Sequence, residues 1–146
     1  MRLVPVASSF LCLALAALSG CNGLTTRDKN RDLIPSANSP IADVPIPARY
    51  TMTSDSTSKV VPGNQIRFVD HHYKGDDDIL PLVKFYRDHM PEFKWNLVDQ
   101  NQAAGTEVTL HYTKNSEECY VSLTPGKFGY SYIRIRIDPV GRDAAK

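Results

Sequence analysis

The sequence predicts an α+β domain: a two-layer sandwich of one amphipathic helix (about residues 77–90) packed on a four- to five-stranded, mainly antiparallel sheet, after a disordered N-terminal tether. Three observations point there. Residues 79–90 carry an apolar stripe at helical spacing, and several later segments alternate apolar with polar residues. The connections between those segments are short and polar, which implies hairpins.

The first strand is expected over Gln65–Tyr73, between the turn signal Pro62-Gly63-Asn64 and the breaker Gly75, with Ile66 and Phe68 facing inward. Asp76-Asp77-Asp78 follows, and an Asp there is suited to cap the free N–H groups of a helix start. Pro81 is tolerated because first-turn donors have no intrahelical acceptor to lose. Ile79, Leu82, Val83, Tyr86 and Met90 share one helical face, Lys84, Arg87 and Asp88 fall elsewhere, and Pro91 ends the helix.

The later strands are read from alternation. Phe93, Trp95 and Leu97 form one inward row; Val108, Leu110 and Tyr112 form the next. Asn115-Ser116 is a tight connection into Cys119, Val121 and Leu123. Pro125-Gly126 to Gly129 turns the chain again, and Ile133, Ile135 and Ile137 make the last row.

The N-terminus carries an address. Arg2 precedes an apolar run from Leu3 to Leu18, the charged and hydrophobic regions of an export signal. As a spanning helix the run is short, since a bilayer needs about 20 apolar residues. It ends in Leu18-Ser19-Gly20-Cys21, which resembles the lipobox of bacterial lipoproteins. The resemblance implies cleavage before Cys21, acyl chains on that cysteine, and a domain exported and held to the cell envelope. Asn22 rather than Asp follows the cysteine, which by that resemblance favours the periplasmic face of the outer membrane over the inner membrane. Cleavage removes Arg2 and with it the whole +1 excess, so lipid and not a basic patch must hold the protein to the bilayer.

This gives an expected organisation of signal peptide 1–20, Pro/Ser-rich tether 21–47, globular domain 48–141 and tail 142–146. Pro35, Pro40, Pro45 and Pro47 oppose helix and ladder formation in the tether. Ile41, Val44 and Ile46 leave an alternative, in which that segment docks on the domain edge. Of three cysteines, Cys12 leaves with the signal and Cys21 takes lipid. Cys119 then has no disulfide partner and reads as a small buried hydrophobe.

Phe85-Tyr86-Arg87, Met90-Pro91, Trp95-x-Leu97 and the Cys119 strand after Lys114 resemble small, functionally uncharacterised domains of bacterial lipoproteins. That resemblance spans Phe85 to Leu123 and implies a fold, with no chemistry attached.

No catalytic constellation is legible. There is no G-x-S-x-G elbow, P-loop or G-x-G-x-x-G. Asp70 and His72 share a strand face from which His71 points away, so the three cannot form one ligand set. His89 near the helix C-terminus is explained by the dipole. No catalytic, cofactor-binding or metal-binding residue is therefore assigned, and an enzyme is not expected.

The informative surface is the sheet face opposite the helix. Thr109, His111, Thr113, Tyr120, Ser122, Tyr130, Tyr132, Arg134 and Arg136 should lie there, and Tyr with Arg is what binding hot spots favour. The candidate binding face is His111, Tyr120, Tyr130, Tyr132, Arg134 and Arg136. Exposed strands also favour Tyr and Thr without any ligand, with Arg stems covering them. The partners expected are the membrane, through Cys21, and another envelope protein. Near-balanced charge argues against nucleic acid. The expected role is a membrane-anchored, non-catalytic binding or adaptor module; the alternative is a small hydrolase or ligand-binding protein for cell-wall or lipid fragments, built around His111.

Overall fold

The computed structural model describes residues 32–62, 66–103 and 107–141. The signal, Cys21 and the tail lie outside these residues. Among the described residues seven strands form a single sheet: β1 (Thr51–Met52), β2 (Thr57–Val61), β3 (Ile66–Gly75), β4 (Asn96–Gln102), β5 (Val108–Lys114), β6 (Glu117–Pro125) and β7 (Ser131–Pro139). The order is β1-β3-β7-β6-β5-β4, with β2 also paired to β3 and every pairing antiparallel. One α-helix, α1 (Ile79–His89), lies against β5 and β6. The expected α+β class and antiparallel sheet are present. The two short edge strands, mostly exposed, enlarge the expected sheet.

Three inward rows follow the alternation. Val108-Leu110-Tyr112, Cys119-Val121-Leu123 and Ile133-Ile135-Ile137 are all buried, stacked strand against strand in register. Leu82, Val83, Phe85, Tyr86 and Met90 of α1 close over them. Burying a row of such side chains contributes roughly 1.5–3 kcal/mol per residue. The Asn115-Ser116 turn is tight, and Asn115 takes the left-handed backbone (φ 53°) that Asn tolerates better than most residues.

Three expectations are corrected. In β3 the inward row is Val69, His71 and Tyr73, whereas Ile66 and Phe68 fall on the opposite row. Pairing with β7 sets this register, placing Val69 opposite Ile137 and Tyr73 opposite Ile133, and a one-residue slip would expose both. Leu97 is 41% exposed, because β4 is an edge strand whose register shifts between Leu97 and Asp99. Trp95, immediately before β4, is fully buried. At the helix start, Asp78 occupies the N-cap position without a side-chain cap bond, and Asp77 instead meets Arg49 at 2.5 Å. The α-helix ends at His89 and tightens into a 3₁₀ turn, Met90–Phe93, with Pro91 inside it.

The segment expected to be a tether is folded over its described part. Ile41, Val44 and Ile46 are buried in the same core as α1 and the sheet, so the docking alternative describes residues 41–46. The chain doubles back there: Ser36 N–H donates to Ile46 O (2.7 Å) and Ala48 N–H to Ile34 O (3.0 Å). The Ser39 hydroxyl bonds Ile41 O and Val44 O, satisfying carbonyls inside the loop. Asp43 then fastens it. Both its oxygens accept from the Arg67 guanidinium at 2.7 Å, and Lys114 Nζ donates to one of them at 2.6 Å. Arg67 also forks onto Glu117 (2.8 and 2.9 Å), and Trp95 Nε1–H donates to Asp43 O (2.8 Å). The apolar docking and this ionic clasp put residues 41–46 inside the globular unit.

Candidate functional site

The outer sheet face is built by cross-strand register. Asp99, His111, Tyr120, Arg136 and Asp70 form one row across β4, β5, β6, β7 and β3; Asn101, Thr109, Ser122, Arg134 and His72 form the next. Directly opposed side chains on antiparallel strands approach closely enough to interact.

The first row is a stack. The His111 and Tyr120 rings lie parallel (3°) with centroids 4.4 Å apart. Arg136 approaches the Tyr120 ring from the neighbouring strand, its guanidinium carbon 4.7 Å from the centroid. The Tyr120 hydroxyl donates to Glu118 (3.0 Å), and Arg136 Nε is 2.9 Å from Asp138. In the second row the Thr109 and Ser122 hydroxyls are 3.2 Å apart, and Arg134 forks onto both oxygens of Asp70 (2.8 and 2.7 Å). Arg134 beside it, against the opposing effect of partial burial, holds the Asp70 carboxyl below the ordinary range. His72 is 3.1 Å from Asp70 through Nε2 and 3.3 Å from Asp55 through Nδ1.

The structure thus gathers five of the six candidate residues: His111, Tyr120, Arg134 and Arg136 in these rows, and Tyr132 in the adjoining row between Thr124 and Lys74. Tyr130 stands just before β7, where Lys74 Nζ lies 3.9 Å over its ring. Both arginines already hold a carboxylate of this chain, so the face presents planar, half-exposed surfaces with polar edges more than free positive charge. The partners Asp70, Glu118 and Asp138 were not singled out as partners in the sequence, because only strand order brings Asp70 next to Arg134. Phe128, at 92% the most exposed large apolar side chain among the described residues, is not a candidate on sequence grounds either; an aromatic inside the Pro125–Gly129 turn was the available signal.

His111 has the environment of a stacked ring. Its Nε2 lies 4.0 Å from Glu118, beyond hydrogen-bond reach, and the nearby Ser122 hydroxyl is engaged with Thr109. His71 lies on the inner face, between the Ser58 hydroxyl (2.5 Å) and the Tyr73 hydroxyl (3.0 Å), and burial lowers its pKa. Cys119 is fully buried, and burial pushes its thiol far up, away from the nucleophilic thiolate. Among the described residues no cluster of three or more His, Cys, Asp or Glu could hold a metal ion, and no helix is long and apolar enough to cross a membrane. Comparison with protein-family models, with curated proteins and with solved structures found no match to this chain.

Proposed function

We propose that this chain is a lipid-anchored envelope protein, exported and attached through Cys21 to the periplasmic face of the outer membrane, whose α+β domain is a non-catalytic binding module. The observation that carries the binding reading is the outer sheet face, where the His111 and Tyr120 rings and the Arg136 guanidinium stack across three strands. Aromatic and guanidinium planes give large contact area at low entropic cost, the property of interface hot spots. The Leu18-Ser19-Gly20-Cys21 sequence supports the anchor.

The test uses a photo-crosslinking residue at Ser122, in the middle of the face, and another at Lys84 on the outer surface of α1, in intact cells. A discrete protein adduct from Ser122 alone, lost on Arg136→Ala, is the expected result. Identical products from both positions, or none from Ser122, would overturn the binding reading. Mass analysis of the N-terminal peptide tests the anchor: acyl chains on Cys21 are expected, and a free thiol there refutes it.

A further inference from the structure

We infer that the turn between β6 and β7 is a second membrane contact, with Phe128 inserted at the surface of the bilayer that holds the Cys21 lipid. This rests on the anchored reading above.

Phe128 is exposed at 92% and has φ 59°, ψ 28°, in the left-handed region that a bulky residue occupies only with strain. The adjacent Gly129 (φ 77°) takes a similar backbone without that penalty. Folding alone would thus favour Gly or Asn at 128, and neither the core nor a hydrogen bond uses the Phe side chain. Around it the surface has interfacial chemistry: Tyr130 and Tyr132, each less than half exposed, with Lys74 and Lys127. Aromatic rings with polar tips favour the headgroup level, and lysines on long stems reach phosphates there.

The described chain begins at Asp32, 3.6 Å from Lys84 of α1, and surface hollows that share Arg49 connect it to the end of the sheet that holds this turn. Ile34 O accepts from Ala48 N–H, and Asp32, Ile34, Arg49 and Asp77 line one surface hollow. Arg49, Lys74, Asp76 and Tyr130 line the adjoining one, which leads to the turn. Arg49 meets the carboxylates of Asp76 (3.7 Å) and Asp77 (2.5 Å), offsetting acidic charge between the entry and the turn. Chain geometry limits Cys21 to within about 40 Å of Asp32. A segment of that reach leaves the turn within range of the bilayer that holds the lipid. A single aromatic is a weak membrane ligand by itself, but a covalent tether raises its effective concentration at the bilayer enough to matter.

The experiment uses the full lipidated chain reconstituted in phosphatidylcholine vesicles with acyl chains brominated near the headgroup. Phe128→Trp is compared with Val60→Trp, an exposed position paired to Arg67 near the opposite end of β3. Trp95, 1% exposed, contributes the same background to both. The expected result is a blue-shifted emission at 128 with about half of the added fluorescence quenched, and none quenched at 60. No quenching at 128, or equal quenching at both, overturns the inference while an acylated Cys21 leaves the anchor reading standing. A free Cys21 thiol in the purified protein defeats both.

Discussion

Asp43→Asn tests whether the ionic clasp holds residues 41–46 in the core. Asp43 accepts two hydrogen bonds from Arg67 and one from Lys114, all at 2.7 Å or less. Hydrogen bonds to charged groups are worth about 1.5–3 kcal/mol each, but the amide keeps one acceptor oxygen and Arg67 keeps its fork on Glu117, so a net loss of about 2 kcal/mol is expected. For a domain of this size that is a fall of roughly 6–12 °C in Tm, read by circular dichroism at pH 7. The pH dependence adds a sign. Burial alone would raise the Asp43 carboxyl, but Arg67 and Lys114 outweigh it and hold the folded pKa below the ordinary value. The contribution is then fully present above the unfolded pKa of about 3.9 and lost as pH falls through the folded one. The gap between wild type and variant, measured as urea midpoints, should stay constant from pH 8 to 5 and close in strong acid. A loss under about 0.5 kcal/mol at pH 7, or a gap that persists in strong acid, would refute the clasp as described.

Three further outcomes are expected. In Gly75→Ala the new Cβ would stand 2.4 Å from the Tyr50 ring, which is hydrogen-bonded to Ser131 at 2.5 Å; calorimetry should show a loss of about 1–3 kcal/mol from overpacking, and an unchanged Tm would show that Tyr50 moves freely. Burial lowers the pKa of His71, so its contribution to stability is present above the unfolded value of about 6.5 and lost as pH falls through the folded one; His71→Gln should flatten the stability slope between pH 7 and 5, and an identical slope would contradict that assignment. Cys119 should react with a water-soluble disulfide reagent only on unfolding, at a rate that rises with denaturant, and rapid native-state labelling would show the core to be open there.

The inward rows of β5, β6 and β7 were legible because each alternates without interruption, and the stripe of α1 because its spacing admits only a helix. Reading β3 from Ile66 and Phe68 missed because its true inward row contains Arg67 and His71, polar residues that local pattern assigns to solvent. Both are satisfied inside, Arg67 by Asp43 and Glu117, His71 by Ser58 and Tyr73. Asp43, Glu117 and Ser58 come from other parts of the chain, and only topology supplies them. The prolines of residues 35–47 argued for a tether while Ile41, Val44 and Ile46 left docking open, and pattern alone could not decide, since a loop without ladder bonds can still bury side chains. On the outer face the residue types were readable in advance. That Arg134 would be spoken for by Asp70 was not, as the two are 64 residues apart.

The strand order has a consequence for how the chain comes to be folded. β4 to β7 pair with their immediate neighbours, so that half can close hairpin by hairpin. β3 instead pairs with β7, the last strand, so Val69 and Tyr73 lack their principal neighbours until residues 131–139 are available. A chain emerging from its N-terminus could pair β1 and β2 with β3, but would leave the inward row of β3 uncovered until almost its whole length had been made or threaded through a channel. Truncating β7 should then leave β3, residues 41–46 and the seat of α1 without a shared core, and proteolysis should clear the remainder quickly. Under the proposed export, in which the chain crosses a membrane before folding, a last-arriving keystone strand is a built-in delay.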